Sequence, residues 1–170
     1  RSAVHRNTRI YGTTARARDI ASQFSLCPWN TDMYGVDTEK RGAEEYYDSL
    51  FKLYASWGVD FVKVDDIANT EFSPQNPYSA EKEIEIIRAA IDRSGRDMVL
   101  SLSPGPAPLN KAEHLSENAN MWRISGDFWD RWDKLLNMFS LCEKWYPYVK
   151  DGSFPDCDIL PLGKLCIDGS

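Results

Sequence analysis

Apolar and polar positions along this chain follow two periods, one typical of helices and one typical of short buried strands. In residues 39–57 apolar side chains recur every three or four positions, and the apolar stretch VDFVKV (59–64) follows directly after Gly58. Three further pairs of a helical and a strand pattern follow: 79–93 with MVLSLS, 109–118 with NMWRIS, and 129–146 with CDILPLG. Helical and strand patterns therefore alternate four times with short connections, which predicts parallel β/α units and an α/β fold.

The first 38 residues show neither period. Their polar character and scattered arginines predict a long, irregular loop over 1–38, before the β/α units of residues 39–170. No glycine-rich dinucleotide or phosphate-binding motif follows any strand pattern, which disfavours a nucleotide-binding sheet.

Charge and hydropathy narrow the classes of partner. The net charge of −6 argues against nucleic acid or an anionic membrane surface. No apolar run approaches the roughly 18 residues that a membrane-spanning helix needs. Six tryptophans and eight tyrosines are many for this length, and aromatic rings both fill cores and stack on sugars.

The four cysteines form no motif. Cys27, Cys142, Cys157 and Cys166 include no C-x-x-C pair and have no nearby histidine, so the sequence predicts no metal site. Buried free thiols are the default expectation, with one or two disulfides as the alternative.

Polar side chains stand where three of the strand patterns end. Asp65 and Asp66 follow VDFVKV, and Ser103 ends MVLSLS. The third strand pattern, NMWRIS, ends in the segment from Arg123 to Asp127. In a (β/α) barrel the carboxyl ends of the strands form the catalytic face. The sequence therefore predicts that these residues converge on one site.

Asp65 and Asp127 are the two carboxylates that fit paired acid chemistry at such a face. One carboxylate can attack an anomeric carbon, while the other protonates the leaving oxygen and later activates water. Lys63 lies two residues before Asp65 and so shares its strand face, where a cation keeps a carboxylate ionised. Asp66 alternates to the other face and is expected to be structural.

Three other interpretations remain open for these charges. A salt bridge at a strand end would explain Asp65 without any chemistry. Asp65 and Asp66 could also hold a divalent cation, although a third acidic or histidine partner is missing from a matching strand end. A Ser/His/Asp triad fits less well, because His5 and His114 fall in a loop and on a helix face.

Three motifs in the right order resemble glycoside hydrolase family 27, the α-galactosidases and α-N-acetylgalactosaminidases. They are YASWGVDFVKVDD (54–66), NANMWRISGDFWDRW (118–132) and FPDCDILPLG (154–163). The family pattern is W-G-x-D-x-x-K-x-D, then W-R-x-x-x-D-x-x-D-x-W, then D-x-D-[MIL]-L. The resemblance covers about residues 40 to 165.

The resemblance implies a role for each matching residue. Asp65 matches the nucleophile and Asp127 the acid/base. Lys63 and Arg123 match side chains that hydrogen-bond sugar hydroxyls. Trp122 matches a tryptophan packed beside that arginine, and we therefore assign Trp122 to substrate binding as well. Asp158 matches an aspartate near the rim of the site, whose role is more structural than chemical.

Three positions depart from the family pattern. Many members have cysteines where this chain has Ile67 and Leu102. The family's sugar-sensing loop begins with Glu in galactosidases and Ser in N-acetylgalactosaminidases. Here the loop reads SLSPGPAP, with Ser103 at that place, so the resemblance leaves the choice between galactose and N-acetylgalactosamine open.

The resemblance also implies an incomplete barrel. The four strand patterns match strands four to seven of a (β/α)8 TIM barrel, so the chain is expected to be a fragment whose partner is the missing barrel half. It implies terminal α-galactosides or α-N-acetylgalactosaminides as substrates and no cofactor. It also implies a secreted, periplasmic or lysosomal location.

Two functions follow from these residues. The first is a retaining exo-glycosidase segment, in which Asp65 and Asp127 carry out double displacement. The second is a non-catalytic carbohydrate-binding or interaction fragment that keeps the same fold.

Overall fold

A four-stranded parallel sheet is the centre of the fold. The computed structural model describes residues 7–26, 33–67, 80–103, 105–159 and 163. The sheet strands, in spatial and chain order, are β3 (Phe61–Val64), β4 (Val99–Leu102), β5 (Met121–Arg123) and β6 (Phe154–Asp156). Each neighbouring pair is parallel, which confirms the predicted α/β class.

Four α-helices connect or precede these strands. They are α1 (Ala43–Ser56), α2 (Glu81–Ser94), α3 (Ala112–Asn118) and α4 (Trp132–Trp145), so helix and strand alternate as predicted. Short 3-10 turns precede α3 (Leu109–Lys111) and follow α4 (Tyr146–Tyr148). Gly95 ends α2 at φ +76°, a left-handed conformation that a side chain would strain.

One face of the sheet is buried under the helices. Leu100, Leu102 and Trp122 point to that side and are fully buried, together with Ile84 and Ile87 of α2. The opposite face carries three large apolar side chains that are exposed: Phe61, Val99 and Phe154. Because a parallel sheet is normally covered on both faces, this second face is the one that lines the inside of a closed barrel.

The fourth strand lies earlier in the chain than the pattern predicted. The expected strand was CDILPLG, but β6 is Phe154–Asp156, and Cys157–Ile159 are not in a strand. Asp158 adopts a left-handed conformation with φ 65°, which interrupts an extended chain. Residues 160–162 lie outside the described residues.

The amino-terminal segment is more ordered than the predicted irregular loop. Within 1–38 the structure describes a 3-10 turn (Ala17–Ile20) and two antiparallel strands, β1 (Ala21–Leu26) and β2 (Tyr34–Val36). Ile20 and Val36 are buried and belong to the same apolar core as the helices. These apolar positions are too few and too widely spaced to produce a periodic pattern, which is why the sequence did not predict the hairpin.

Two of the four cysteines lie among the described residues. Cys142 is exposed and Cys157 is partly buried, and both are free thiols, so the expectation of burial is wrong for Cys142. Cys27 and Cys166 lie outside the described residues. Among the helices that the structure describes, none has the length and apolarity to cross a membrane.

Candidate active site

The register of the sheet brings the predicted residues to one edge. Lys63 is paired with Ser101, Ser101 with Met121, and Met121 with Phe154. Side chains on one face of a strand recur every second residue, so the residues two positions after these four form the next row of side chains across the sheet. That row consists of Asp65, Ser103, Arg123 and Asp156, and it lies at the carboxyl ends of the four strands.

Lys63 and Asp65 form an ion pair on the face away from the helices. The distance from Lys63 Nζ to Asp65 Oδ1 is 3.7 Å, and about half of each side chain is exposed. The ammonium group of Lys63 and the carboxylate of Asp65 thus lie side by side at the carboxyl end of β3. Both groups are open to a ligand on this side of the sheet.

The backbone turns sharply just after Asp65. Asp66 is buried and has φ 58°, an uncommon conformation for a residue other than glycine. On either side of it, the Ser103 amide donates to the Val64 carbonyl (2.9 Å) and the Ile67 amide donates to the Ser103 carbonyl (3.2 Å). The end of β3 is therefore fixed to the end of β4.

Arg123 is a buried cation held by carboxylates. Its side chain is 3% exposed, and Nη1 lies 2.8 Å from Asp158 Oδ1. Nη2 lies 3.4 Å from Asp127 Oδ1 and donates to the Ser125 carbonyl at 3.3 Å. A buried charge is tolerated when it is paired in this way. Arg123 thus connects the acid/base candidate to the end of the neighbouring strand.

Asp158 is the anchor of this arrangement. Its second carboxylate oxygen accepts a hydrogen bond from the Phe128 amide (2.7 Å), and its own amide donates to Asp156 Oδ1 (2.9 Å). One carboxylate therefore fixes both Arg123 and the loop that carries Asp127. The sequence suggested a structural role for Asp158 but did not reveal Asp156, although the D-x-D spacing carries that signal.

Trp122 does not fit the predicted role in substrate binding. Its side chain is fully buried and packs against Trp145 of α4, with ring centroids 5.9 Å apart. The two-residue period of a strand explains this placement, because Trp122 precedes Arg123 and must point to the opposite face. Trp122 therefore supports the sheet from the helix side.

Ser103 lies in the row as predicted, although its side chain is buried. The loop after it packs tightly on β5, since a Cβ atom at Gly105 would lie 2.2 Å from the Ser125 carbonyl oxygen. Only glycine fits at that contact, so the ends of β4 and β5 are held together by backbone packing.

Asp127 stands between the row and a cleft on its α4 side. Its side chain is 67% exposed. The cleft has a volume of about 250 Å³ and is lined by Ser125, Asp127, Phe128, Lys134, Asn137 and Met138, among others. Lys63 and Asp65 do not line it, so the described residues place the two carboxylate candidates on one edge but not in one enclosed pocket.

A second polar cluster lies on the outer helices. His114 Nε2 is 3.2 Å from Glu85 Oε1 and 4.0 Å from Glu81 Oε1. Glu85 also forms an ion pair with Lys82, and Glu81 forms one with Lys111. The hydrogen bond from Lys82 is the main cause that lowers the pKa of Glu85, and the hydrogen bond with His114 also lowers it. This cluster is therefore a network of polar contacts that joins α2 to α3 and to the 3-10 turn before α3.

Comparison with known proteins identifies the family. The family model described as α-galactosidase A matches residues 32–168. The chain belongs to this family, glycoside hydrolase family 27. The three motifs and their order were therefore interpreted correctly.

Solved structures of family 27 support the same conclusion. A β-L-arabinopyranosidase of Geobacillus stearothermophilus is 61% identical with a TM-score of 0.87, over 95% of this chain and 36% of that protein. A suggested α-N-acetylgalactosaminidase of Bacillus halodurans is 56% identical with a TM-score of 0.70, over the same shares. The partial barrel fold is thereby confirmed.

Curated relatives are more distant. Alpha-galactosidase 2 of Arabidopsis thaliana is 31% identical over 112 residues, which are 66% of this chain and 26% of that protein. A probable alpha-galactosidase of Dictyostelium discoideum is 30% identical over 76% of this chain and 32% of its own length. The family 27 chain thus spans about a quarter to a third of the curated relatives it matches.

The Asp158 anchor generates a stability prediction. Asp158→Asn should lower the free energy of unfolding by about 3 kcal/mol, because Arg123 then keeps a buried charge without its closest carboxylate. The matched control is Asp133→Asn, which removes the exposed ion pair with Arg131 and should change little. Urea unfolding of both variants measures the difference, and equal effects would show that Asp158 is not an anchor.

Proposed function

We propose that this chain carries the nucleophile and the acid/base of a retaining exo-glycosidase that acts on terminal pyranosides with the ring configuration of galactose. The observation that carries the proposal is the row at the strand ends, where Asp65 lies beside Lys63 and Arg123 contacts Asp127. Family membership supports the chemistry that we assign to this row.

In the proposed first step Asp65 attacks the anomeric carbon and forms a covalent glycosyl-enzyme. Lys63 lies 3.7 Å from the attacking carboxylate, and its ammonium group has three N–H donors that can serve sugar hydroxyls. Both side chains are half exposed on the face that lines a barrel, which is where a sugar ring would lie.

Asp127 serves as acid in this step and as base in the next. It donates a proton to the leaving oxygen and then takes one from the water that releases the sugar. Arg123, fixed by Asp158 at 2.8 Å, orients Asp127 through its Nη2 atom. Retention requires the carboxyl groups of Asp65 and Asp127 to lie about 5 to 5.5 Å apart.

We infer that β-L-arabinopyranosides are the preferred substrates within this class. Their ring has the same configuration as that of an α-D-galactopyranoside and lacks only the hydroxymethyl group at C5. The similarity of 61% over 95% of this chain to a β-L-arabinopyranosidase supports this choice. α-Galactosides and α-N-acetylgalactosaminides are the competing substrates, as family relatives suggest.

The substrate assignment predicts an order of activities in the full-length protein. The kcat/KM for an aryl β-L-arabinopyranoside should exceed that for the aryl α-galactoside by at least about tenfold, since a pocket shaped for the smaller ring resists an added polar group. The aryl α-N-acetylgalactosaminide should be the poorest of the three. A higher kcat/KM for the galactoside would overturn the preference while leaving the reaction type intact.

The acid/base assignment predicts chemical rescue of one variant. Asp127→Ala should form the glycosyl-enzyme from a substrate with a good phenolate leaving group but hydrolyse it slowly, because water lacks a base. Added azide needs no base, so it should raise turnover and give a glycosyl azide whose anomeric configuration is opposite to that of the substrate. Product analysis by NMR measures this configuration.

The neighbouring exposed aspartate supplies the control for the rescue. Asp133→Ala should keep nearly full activity and gain nothing from azide, because Asp133 forms an exposed ion pair with Arg131 and lies outside the proposed machinery. If azide restored turnover to Asp65→Ala and not to Asp127→Ala, the two roles would be reversed.

A further inference from the structure

Two thiols meet beside the candidate active site. Cys142 belongs to the last turns of α4, and Cys157 directly follows β6. Their Sγ atoms are 3.4 Å apart. A disulfide needs an S–S distance of about 2.05 Å, so the bond requires a movement of little more than one ångström.

The two thiols differ in their surroundings, which sets the order of events. Cys142 is exposed, whereas Cys157 is partly buried. Burial, together with the hydrogen bond between Cys157 and Cys142, raises the pKa of Cys157 to about 12. The thiolate is the reactive form of a cysteine, and Cys142 is the more exposed of the two. Cys142 is therefore the thiol that reacts first with an external oxidant.

Both cysteines adjoin residues of the candidate site. Cys157 directly precedes Asp158, which holds Arg123 and the Phe128 amide. Cys142 directly follows Leu141, which lines the cleft beside Asp127. A bond between the two sulfurs would therefore join α4 to the segment that anchors the buried arginine.

We propose that Cys142 and Cys157 form an intramolecular disulfide that ties α4 to the Asp158 segment. The oxidant is a small-molecule disulfide of the glutathione class. The Cys142 thiolate attacks one of its sulfurs, a mixed disulfide forms, and the first small thiolate leaves and takes up a proton. Cys157 then loses its proton and attacks the Cys142 sulfur, which releases the second small thiol. Two protein thiols are oxidised, and one small disulfide is reduced to two thiols.

The bond closes a loop of about the length for which disulfides give substantial stabilisation. Cys142 and Cys157 are 15 positions apart. Closing such a loop restricts the unfolded chain, so the oxidised protein should be more stable than the reduced one. Formation of this bond requires neither the proposed substrate nor catalysis.

The test uses oxidised and reduced glutathione on the full-length protein at mildly alkaline pH. After oxidation, peptide mapping by mass spectrometry should show one cross-linked peptide that contains Cys142 and Cys157 and lacks two hydrogen atoms. The thermal midpoint should rise by about 5 °C or more and return on reduction. Since Cys27 and Cys166 are also present, the map must assign the bond to its cysteines.

Cys142→Ser is the matched control, because this exposed position tolerates serine and cannot form the bond. Its thermal midpoint should be the same under both glutathione conditions, and Cys157 should stay unmodified because its thiolate is scarce. Two outcomes would overturn the proposal. One is that both thiols of the wild-type protein remain open to alkylation after oxidation. The other is that oxidation stops at a mixed disulfide on Cys142.

Discussion

The parallel register of the four strands is the constraint on which the candidate site depends. Lys63 pairs with Ser101, and Arg123 pairs with Asp156. This register aligns the carboxyl ends of the strands along one edge of the sheet. Because side chains alternate between faces, one row holds the charged groups, and the positions before them hold Trp122 and other core residues. A shift of one residue in any strand would exchange core and site positions. Burial of the core face thus places the chemistry on the other face.

The buried arginine is the costly element of this arrangement. Removing a guanidinium from water is unfavourable unless partners replace the lost hydration. Asp158, the Ser125 carbonyl and Asp127 supply those partners, while the Phe128 amide fixes Asp158 itself. The polar residues at the ends of β5 and β6 therefore form one connected network. Such a network holds Asp127 in place, which is the preorganisation that acid/base chemistry requires.

Much of this fold could be predicted from the sequence, because most of the elements are periodic. Strands β3 to β5 are rich in β-branched or bulky apolar residues, and each lies between two helices in the chain. Polar or charged residues stand at the carboxyl end of each strand. The motifs then assigned Asp65 and Asp127 to a known family. The three-residue strand β6 was misplaced because its successor, ILPL, is more apolar than FPD itself.

Other features could not be predicted because they depend on tertiary contacts. The Asp158 carboxylate lies 35 residues after Arg123 in the chain, and only the β5–β6 pairing makes them neighbours. Trp122 was assigned to the sugar because it adjoins Arg123 in a motif, although a strand sends adjacent side chains to opposite faces. The proximity of Cys142 and Cys157 likewise follows from the packing of α4 on the sheet, since no spacing rule connects them.

The central claim is that Asp65 at the end of β3 is the nucleophile of a retaining glycosidase. A 5-fluoro glycosyl fluoride of galactose or arabinopyranose configuration tests it most directly, since the fluorine at C5 slows release of the sugar and lets a covalent intermediate accumulate. Peptide mass spectrometry of the inactivated full-length protein should find the sugar attached to Asp65. A label on Asp127, or inactivation without any covalent label, would contradict the account.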